Sequence, residues 1–157
     1  TNALPKSVQK ILRESYEKTK DNTGLHLNLA ISYGSRWDIM RAMQMIALDV
    51  RGGKLSPEDL TEELFSSYLQ TADIPDPDLL IRTSGEYRIS NFLLWELAYS
   101  EIYFTERLWP EFRRDELYSA LTDYAQRERR FGKTSSQINE STEQSYIKKV
   151  IDVIKRT

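Results

Sequence analysis

The chain has 157 residues, enough for one domain with a single hydrophobic core, and no cysteine, which excludes disulfides and thiolate metal sites. Its 22 basic and 24 acidic side chains leave a formal charge of −2, which argues against a general nucleic-acid binder. No apolar run approaches the roughly 20 residues that span a bilayer, and the polar opening TNALPKSVQK is no signal peptide, so a cytoplasmic setting is expected.

Val8, Ile11, Leu12 and Tyr16 recur at helical spacing after Pro5, and predict a helix that ends at the turn Asp21-Asn22-Thr23-Gly24. Leu25, Leu27, Leu29 and Ile31 alternate, which predicts a strand running to Tyr33, followed by a turn at Gly34-Ser35. A second helical stripe, Ile39, Met43, Ile46 and Val50, closes at Gly52-Gly53. Ser56-Pro57-Glu58-Asp59 is a helix start, with a capping serine, proline at the first position and acids facing the positive dipole end. That helix is expected to reach Gln70, before the prolines 75 and 77 interrupt it.

Leu79-Leu80-Ile81 reads as a buried strand that runs into a polar loop, and Asn91 to Ala98 as a helix. Ile102-Tyr103-Phe104 has strand character, and Trp109-Pro110 breaks the chain. Leu117, Leu121 and Tyr124 mark a helix ending near Phe131-Gly132. Residues 133–142 are linker-like, and Ile147, Val150, Ile151 and Ile154 stripe a last short helix. The alternation predicts an α/β fold, a mainly parallel sheet flanked by helices. Three strands make a thin sheet, so the fold is expected to be incomplete, and the opening Thr1 suits a fragment.

Chemistry concentrates between Arg82 and Ser90. Arg82 and Arg88 flank Gly85 and can present several N–H donors to an anion such as a phosphate; Ser90 adds a hydroxyl at an expected helix start. The same residues also read as surface arginines paired with Glu86. Glu101 can serve as one carboxylate of a Mg²⁺ shell or stand solvated. His26, the single histidine, reads as an outward strand residue, and a histidine-centred triad has no support. The tryptophans read as packing, and the basic run Arg127 to Arg130 as a complement to a helix dipole.

The run DLLIRTSGEYRISNFLLWELAYSEIYFTERLWPEF resembles the signature block of the cis-prenyltransferases. LNLAISYGSRWDIMRA resembles another block of that family, and RERRFG its arginine-x-glycine motif. The resemblance implies residues 1–132 as the C-terminal part of such a domain, with 133–157 a polar linker and short amphipathic tail. It implies condensation of isopentenyl diphosphate onto an allylic (farnesyl) diphosphate with cis geometry and Mg²⁺, undecaprenyl diphosphate being the expected product. By position, Arg82, Glu86, Arg88, Ile89 and Ser90 would serve the isopentenyl diphosphate, and Glu101 would bind Mg²⁺ for a neighbouring subunit. Arg130 and Gly132 would complete the site of a homodimer partner. Peripheral membrane contact would serve product release.

The family's Asp-Gly-Asn-Gly-Arg-Trp block, which carries the metal-binding aspartate and holds the allylic diphosphate, does not occur in the chain. No catalytic residue is therefore assigned, and the chain alone is expected to be inactive. The alternative is a non-catalytic dimerising subunit, although such members lack the intact arginine-serine loop that this chain keeps.

Overall fold

The computed structural model describes residues 4–127; the expected helix end at Phe131-Gly132 and the tail helix lie outside them. Four α-helices and two strands follow in the order α1 (Lys6–Thr19), α2 (Ser35–Arg51), α3 (Glu62–Ser67), β1 (Leu79–Arg82), β2 (Glu101–Phe104) and α4 (Arg114–Gln126). The strands are parallel, and Leu79 pairs with Glu101, Leu80 with Ile102, Ile81 with Tyr103 and Arg82 with Phe104. Parallel pairing needs a crossover, here the turns between Thr83 and Ser100. The α/β class and the parallel sheet agree with expectation. The sheet has two strands among the described residues, not three.

The third expected strand does not form. Residues 25–31 are not assigned to any strand and make no backbone hydrogen bond to a described residue. Leu25, Leu27 and Leu29 are 93%, 72% and 61% exposed. Alternation encodes which side chains would face a core, but a strand also needs a neighbour's N–H and C=O groups. The described residues offer this ribbon none.

The helix expected from Ser56 to Gln70 is divided. Ser56 and Asp59 form a capping box around a short 3-10 turn, Pro57–Asp59. Leu60 then takes an extended conformation, and Thr61 starts α3 by accepting the Leu64 N–H at 3.1 Å. Two good caps five residues apart each start their own helix.

Asn91 to Ala98 is not helical either, but a series of turns. Asn91 and Leu93 hold φ values of 62° and 45°, in the left-handed region, which no right-handed helix accommodates.

Among the described residues, Ala42, Ile46, Leu69, Leu97 and Ala120 are the buried apolar ones. α2 forms where expected and stops at Gly52, but its buried face is Ser35, Asp38, Ala42 and Ile46. Met43 of the expected stripe is 52% exposed. Trp95 packs as expected, its ring 4.5 Å from Phe65 and its Nε1–H donated to Ser66 Oγ at 2.9 Å. Trp37 and Trp109 lie exposed, as does His26.

Candidate functional site

Arg82 is the last residue of β1, so its side chain stands at the carboxyl end of the parallel pair, where open α/β sheets bind ligands. The loop beyond it is laced to the loop that follows β2. Arg82 C=O accepts from Thr105 N–H (2.9 Å), Thr105 C=O from Gly85 N–H (2.9 Å), and Arg107 C=O from Ser84 N–H (2.8 Å). Ser84 and Gly85 turn the chain with φ of 72° and 64°. A Cβ on Gly85 would meet nothing closer than 3.9 Å, so glycine is favoured there by its backbone angle and not by space.

This turn brings Arg82, Glu86 and Arg88 together. Glu86 Oε2 lies 3.5 Å from Arg82 Nη2 and also contacts Arg88 Nη2. Two guanidiniums around one carboxylate leave a net positive cluster. The Arg88 side chain is largely exposed, and the buried Nε of Arg82 has no hydrogen-bond partner among the described residues. Ile89 is half-buried in the same loop. Ser90 is exposed with φ 55°, and no helix begins there, so the expected helix-terminal amides are not available to a ligand.

The next residue, Asn91, fixes this loop to α2. Its main-chain carbonyl accepts from Ser35 N–H (2.9 Å) and its Oδ1 from Arg36 N–H (2.9 Å). Ser35 Oγ in return accepts from Leu94 N–H at 3.0 Å. Gly34 permits the approach, since a Cβ there would sit 3.0 Å from Asn91 Nδ2. The amides at the start of a helix have no partner within it. Asn91 satisfies two of them from 55 residues away in sequence. No periodicity points to this residue. The signal that could have found it is an asparagine, tolerant of left-handed backbone, directly after Ser90.

Glu101 is the first residue of β2, level with Leu79, at the opposite end of the sheet from Arg82. Three residues of strand separate the two levels, about 10 Å at ~3.3 Å per residue. One chain does not bring Glu101 to its own arginine loop. Its Oε2 accepts from Arg127 Nη1 at 2.8 Å, and the same nitrogen donates to the Ile102 carbonyl at 2.9 Å. Arg127 Nη2 is 2.5 Å from Asp123 Oδ2. Hydrogen bonding to Glu101 raises the Arg127 guanidinium above its already high pKa; burial opposes it, and the Asp123 carboxylate adds a smaller push in the same direction as Glu101. As a hard oxygen donor Glu101 fits Mg²⁺, but as one carboxylate only. No group of three or more acidic or histidine side chains converges among the described residues. Arg130 and Gly132 fall outside the described residues.

Two further carboxylates are buried. Asp38 accepts from Gln70 N–H (3.0 Å) and Arg41 Nε (3.2 Å), and Glu96 from Thr71 Oγ1 (2.5 Å). Together they pin the elbow between α3 and the approach to β1. Asp38 occupies a core position of α2, where helical spacing in sequence points to apolar residues and not to a carboxylate. A cavity of about 330 Å³ lies beside Glu96, walled by Leu29, Tyr33, Ile74, Pro75 and Phe92. Burial pushes the Tyr33 phenol up, Ser35 opposes it, and Glu96 and Asp38 add smaller contributions upward.

Residues 1–132 match a protein-family model described as "Putative undecaprenyl diphosphate synthase". An isoprenyl transferase of Chlorobaculum tepidum is 58% identical over 135 residues, 86% of this chain and 51% of that protein. The ditrans,polycis-undecaprenyl-diphosphate synthase ((2E,6E)-farnesyl-diphosphate specific) of Pseudomonas syringae pv. tomato is 50% identical over 131 residues, 83% of this chain and 52% of that one. Among solved structures, lavandulyl diphosphate synthase from Lavandula x intermedia, in complex with dimethylallyl diphosphate, superposes with a TM-score of 0.78 at 41% identity. The match covers 84% of this chain and 57% of that chain. A "probable undecaprenyl diphosphate synthase" of Campylobacter jejuni gives 0.67 at 39%, over 84% and 59%.

Fold and sequence thus place the chain in the prenyltransferase class. It belongs to the undecaprenyl diphosphate synthase family of cis-prenyltransferases. The chain spans about half the length of the curated relatives it matches. No helix among the described residues is long and apolar enough to cross a membrane.

Proposed function

We propose that these residues form the isopentenyl diphosphate half of a cis-prenyltransferase site, which adds isopentenyl units to farnesyl diphosphate toward undecaprenyl diphosphate. The observation that carries the reading is the Arg82–Glu86–Arg88 cluster at the carboxyl end of the parallel strands. Arg82 and Arg88 hold the diphosphate, Ser90 donates its hydroxyl, Glu86 spaces the two guanidiniums and Ile89 packs the loop. Anchored this way, the isopentenyl double bond is oriented toward the allylic carbon, and positioning lowers the barrier by removing orientational freedom in advance.

Glu101 supplies one oxygen to Mg²⁺ in the site of a second copy, its place at the far end of the sheet favouring service in trans. An ion held there by Glu101 would supply positive charge to offset that of a departing diphosphate. Arg130 and Gly132 complete the partner's site in the same homodimer. Without a group to hold the allylic diphosphate, these 157 residues do not elongate by themselves.

The test pairs binding with turnover. Isopentenyl diphosphate titrated into the 157-residue chain should bind, and Arg88→Gln should weaken it about tenfold, as for a lost charged hydrogen bond of roughly 1.5 kcal/mol. Radiolabelled isopentenyl and farnesyl diphosphates with Mg²⁺ should give no elongated product. Equal affinity in Arg88→Gln overturns the diphosphate assignment, and elongation by the chain alone overturns the division of labour.

A further inference from the structure

Three residues in a stretch of four, Ser90, Asn91 and Leu93, hold positive φ without being glycine (55°, 62° and 45°). Such a conformation persists only where surroundings over-determine it, and it gathers at functional sites. What over-determines it is the double exchange with α2. Asn91 accepts from Ser35 N–H and Arg36 N–H while Ser35 Oγ accepts from Leu94 N–H.

We infer that Asn91 is a positioning residue that fixes the Ser90 hydroxyl in the diphosphate loop by clamping the loop to the N-terminus of α2. The inference rests on the diphosphate reading of that loop and adds a residue which touches no substrate. Ser90 is exposed and has no hydrogen bond to a described residue, so nothing of its own sets its direction. Its orientation is inherited from the residue that follows. Gly34 belongs to the same device, because a Cβ there would sit 3.0 Å from Asn91 Nδ2 and press the carboxamide out of its present position.

Three hydrogen bonds thus join two separated stretches of sequence, around Gly34-Ser35-Arg36 and around Asn91 to Leu94. Each supplies what the other lacks. The helix start has spare donors, the loop has a spare carbonyl and carboxamide oxygen, and the Ser35 hydroxyl returns a bond to the loop.

The test is a double-mutant cycle on the full 157-residue chain, read as isopentenyl diphosphate affinity by calorimetry, with circular dichroism confirming the fold. Asn91→Gly keeps the left-handed backbone and the main-chain carbonyl, and removes only the carboxamide. Ser90→Ala and Asn91→Gly should each weaken binding about five- to tenfold. The double variant should be no more than about twofold weaker than either single one, because Asn91 acts through Ser90. Gly34→Ala should weaken binding in the same direction and be equally silent in the Ser90→Ala background; it carries the test if Asn91→Gly unfolds. Multiplicative losses in the cycle, or unchanged affinity in Asn91→Gly and Gly34→Ala, overturn the positioning role. If Arg88→Gln loses binding while both clamp variants retain it, only the clamp falls; if Arg88→Gln binds like the parent chain, the diphosphate reading falls with it.

Discussion

Asp38→Ala should be among the most destabilising single changes in the chain. The carboxylate is fully buried on α2 and accepts Gln70 N–H at 3.0 Å and Arg41 Nε at 3.2 Å. Removing it takes the acceptor from the Gln70 N–H, a part-buried bond whose loss costs about 1 kcal/mol. Breaking a fully buried ion pair would cost about 3–5 kcal/mol, but that figure does not apply whole. The Arg41 side chain remains 29% exposed, and its Nη2 still donates to the Tyr68 carbonyl at 2.8 Å. A total of about 2–4 kcal/mol follows, a large share of the ~5–15 kcal/mol that holds an ordinary domain. For a chain of this size that lowers Tm by about 6–12 °C. Asp38→Asn keeps an acceptor for Gln70 and loses only charge, so about 1 kcal/mol is expected. Urea unfolding followed by circular dichroism measures both. An alanine variant within ~0.5 kcal/mol of the parent, or equal losses for alanine and asparagine, would refute the hydrogen-bond account.

Lys54 first, and then the Tyr68 hydroxyl, hold the Asp49 carboxyl below the usual carboxylate range. Its folded value is depressed, so its stabilisation is present above the unfolded value near pH 4 and fades as pH falls through the folded one. The gap in urea midpoint between parent and Asp49→Asn should therefore be wide at pH 6 and shrink by pH 3; a constant gap contradicts the assignment. Gly85→Ala puts a side chain on a backbone at φ 64° with no steric obstacle, and should lower stability by about 1–2 kcal/mol through backbone strain alone. A neutral result in the same urea assay would mean that the turn relaxes. Arg127→Met removes the partner of Glu101 and should cost about 1–2 kcal/mol, discounted because both side chains are about a third exposed. It should also strengthen Mn²⁺ broadening of amide resonances around Glu101, and unchanged broadening would show that Arg127 does not compete for that carboxylate.

The parts of the fold legible in sequence are those whose signal is local. Leu79-Leu80-Ile81 and Ile102-Tyr103-Phe104 became β1 and β2, and the Gly52-Gly53 stop ended α2 where expected. The arginine cluster was legible because its members sit within seven residues of one another around one glycine. What failed depended on distant partners. The alternation at Leu25 to Ile31 could not disclose the lack of a neighbouring strand. The apolar run after Asn91 resembled a helix, yet the clamp to α2 holds it in left-handed turns. In α2 the buried face includes Asp38, whose acceptor role toward Gln70 N–H is fixed 32 residues away, and Met43 lies outside that face. The Glu101–Arg127 pair joins the start of β2 to the end of α4, a distance in sequence that no local pattern spans.

The unpaired ribbon at residues 25–31 has a consequence for the behaviour of the chain in solution. Its leucines alternate with His26 and Asn28, and its backbone groups pair with no described residue along an apolar, nearly uncharged segment without proline. Those are the attributes of a template for intermolecular strand addition. Concentrating the protein should accordingly produce self-association that saturates slowly and resists dilution. Lysine in place of Leu27 should suppress it by placing a charge in the middle of the template, leaving the helices and the β1–β2 pair untouched.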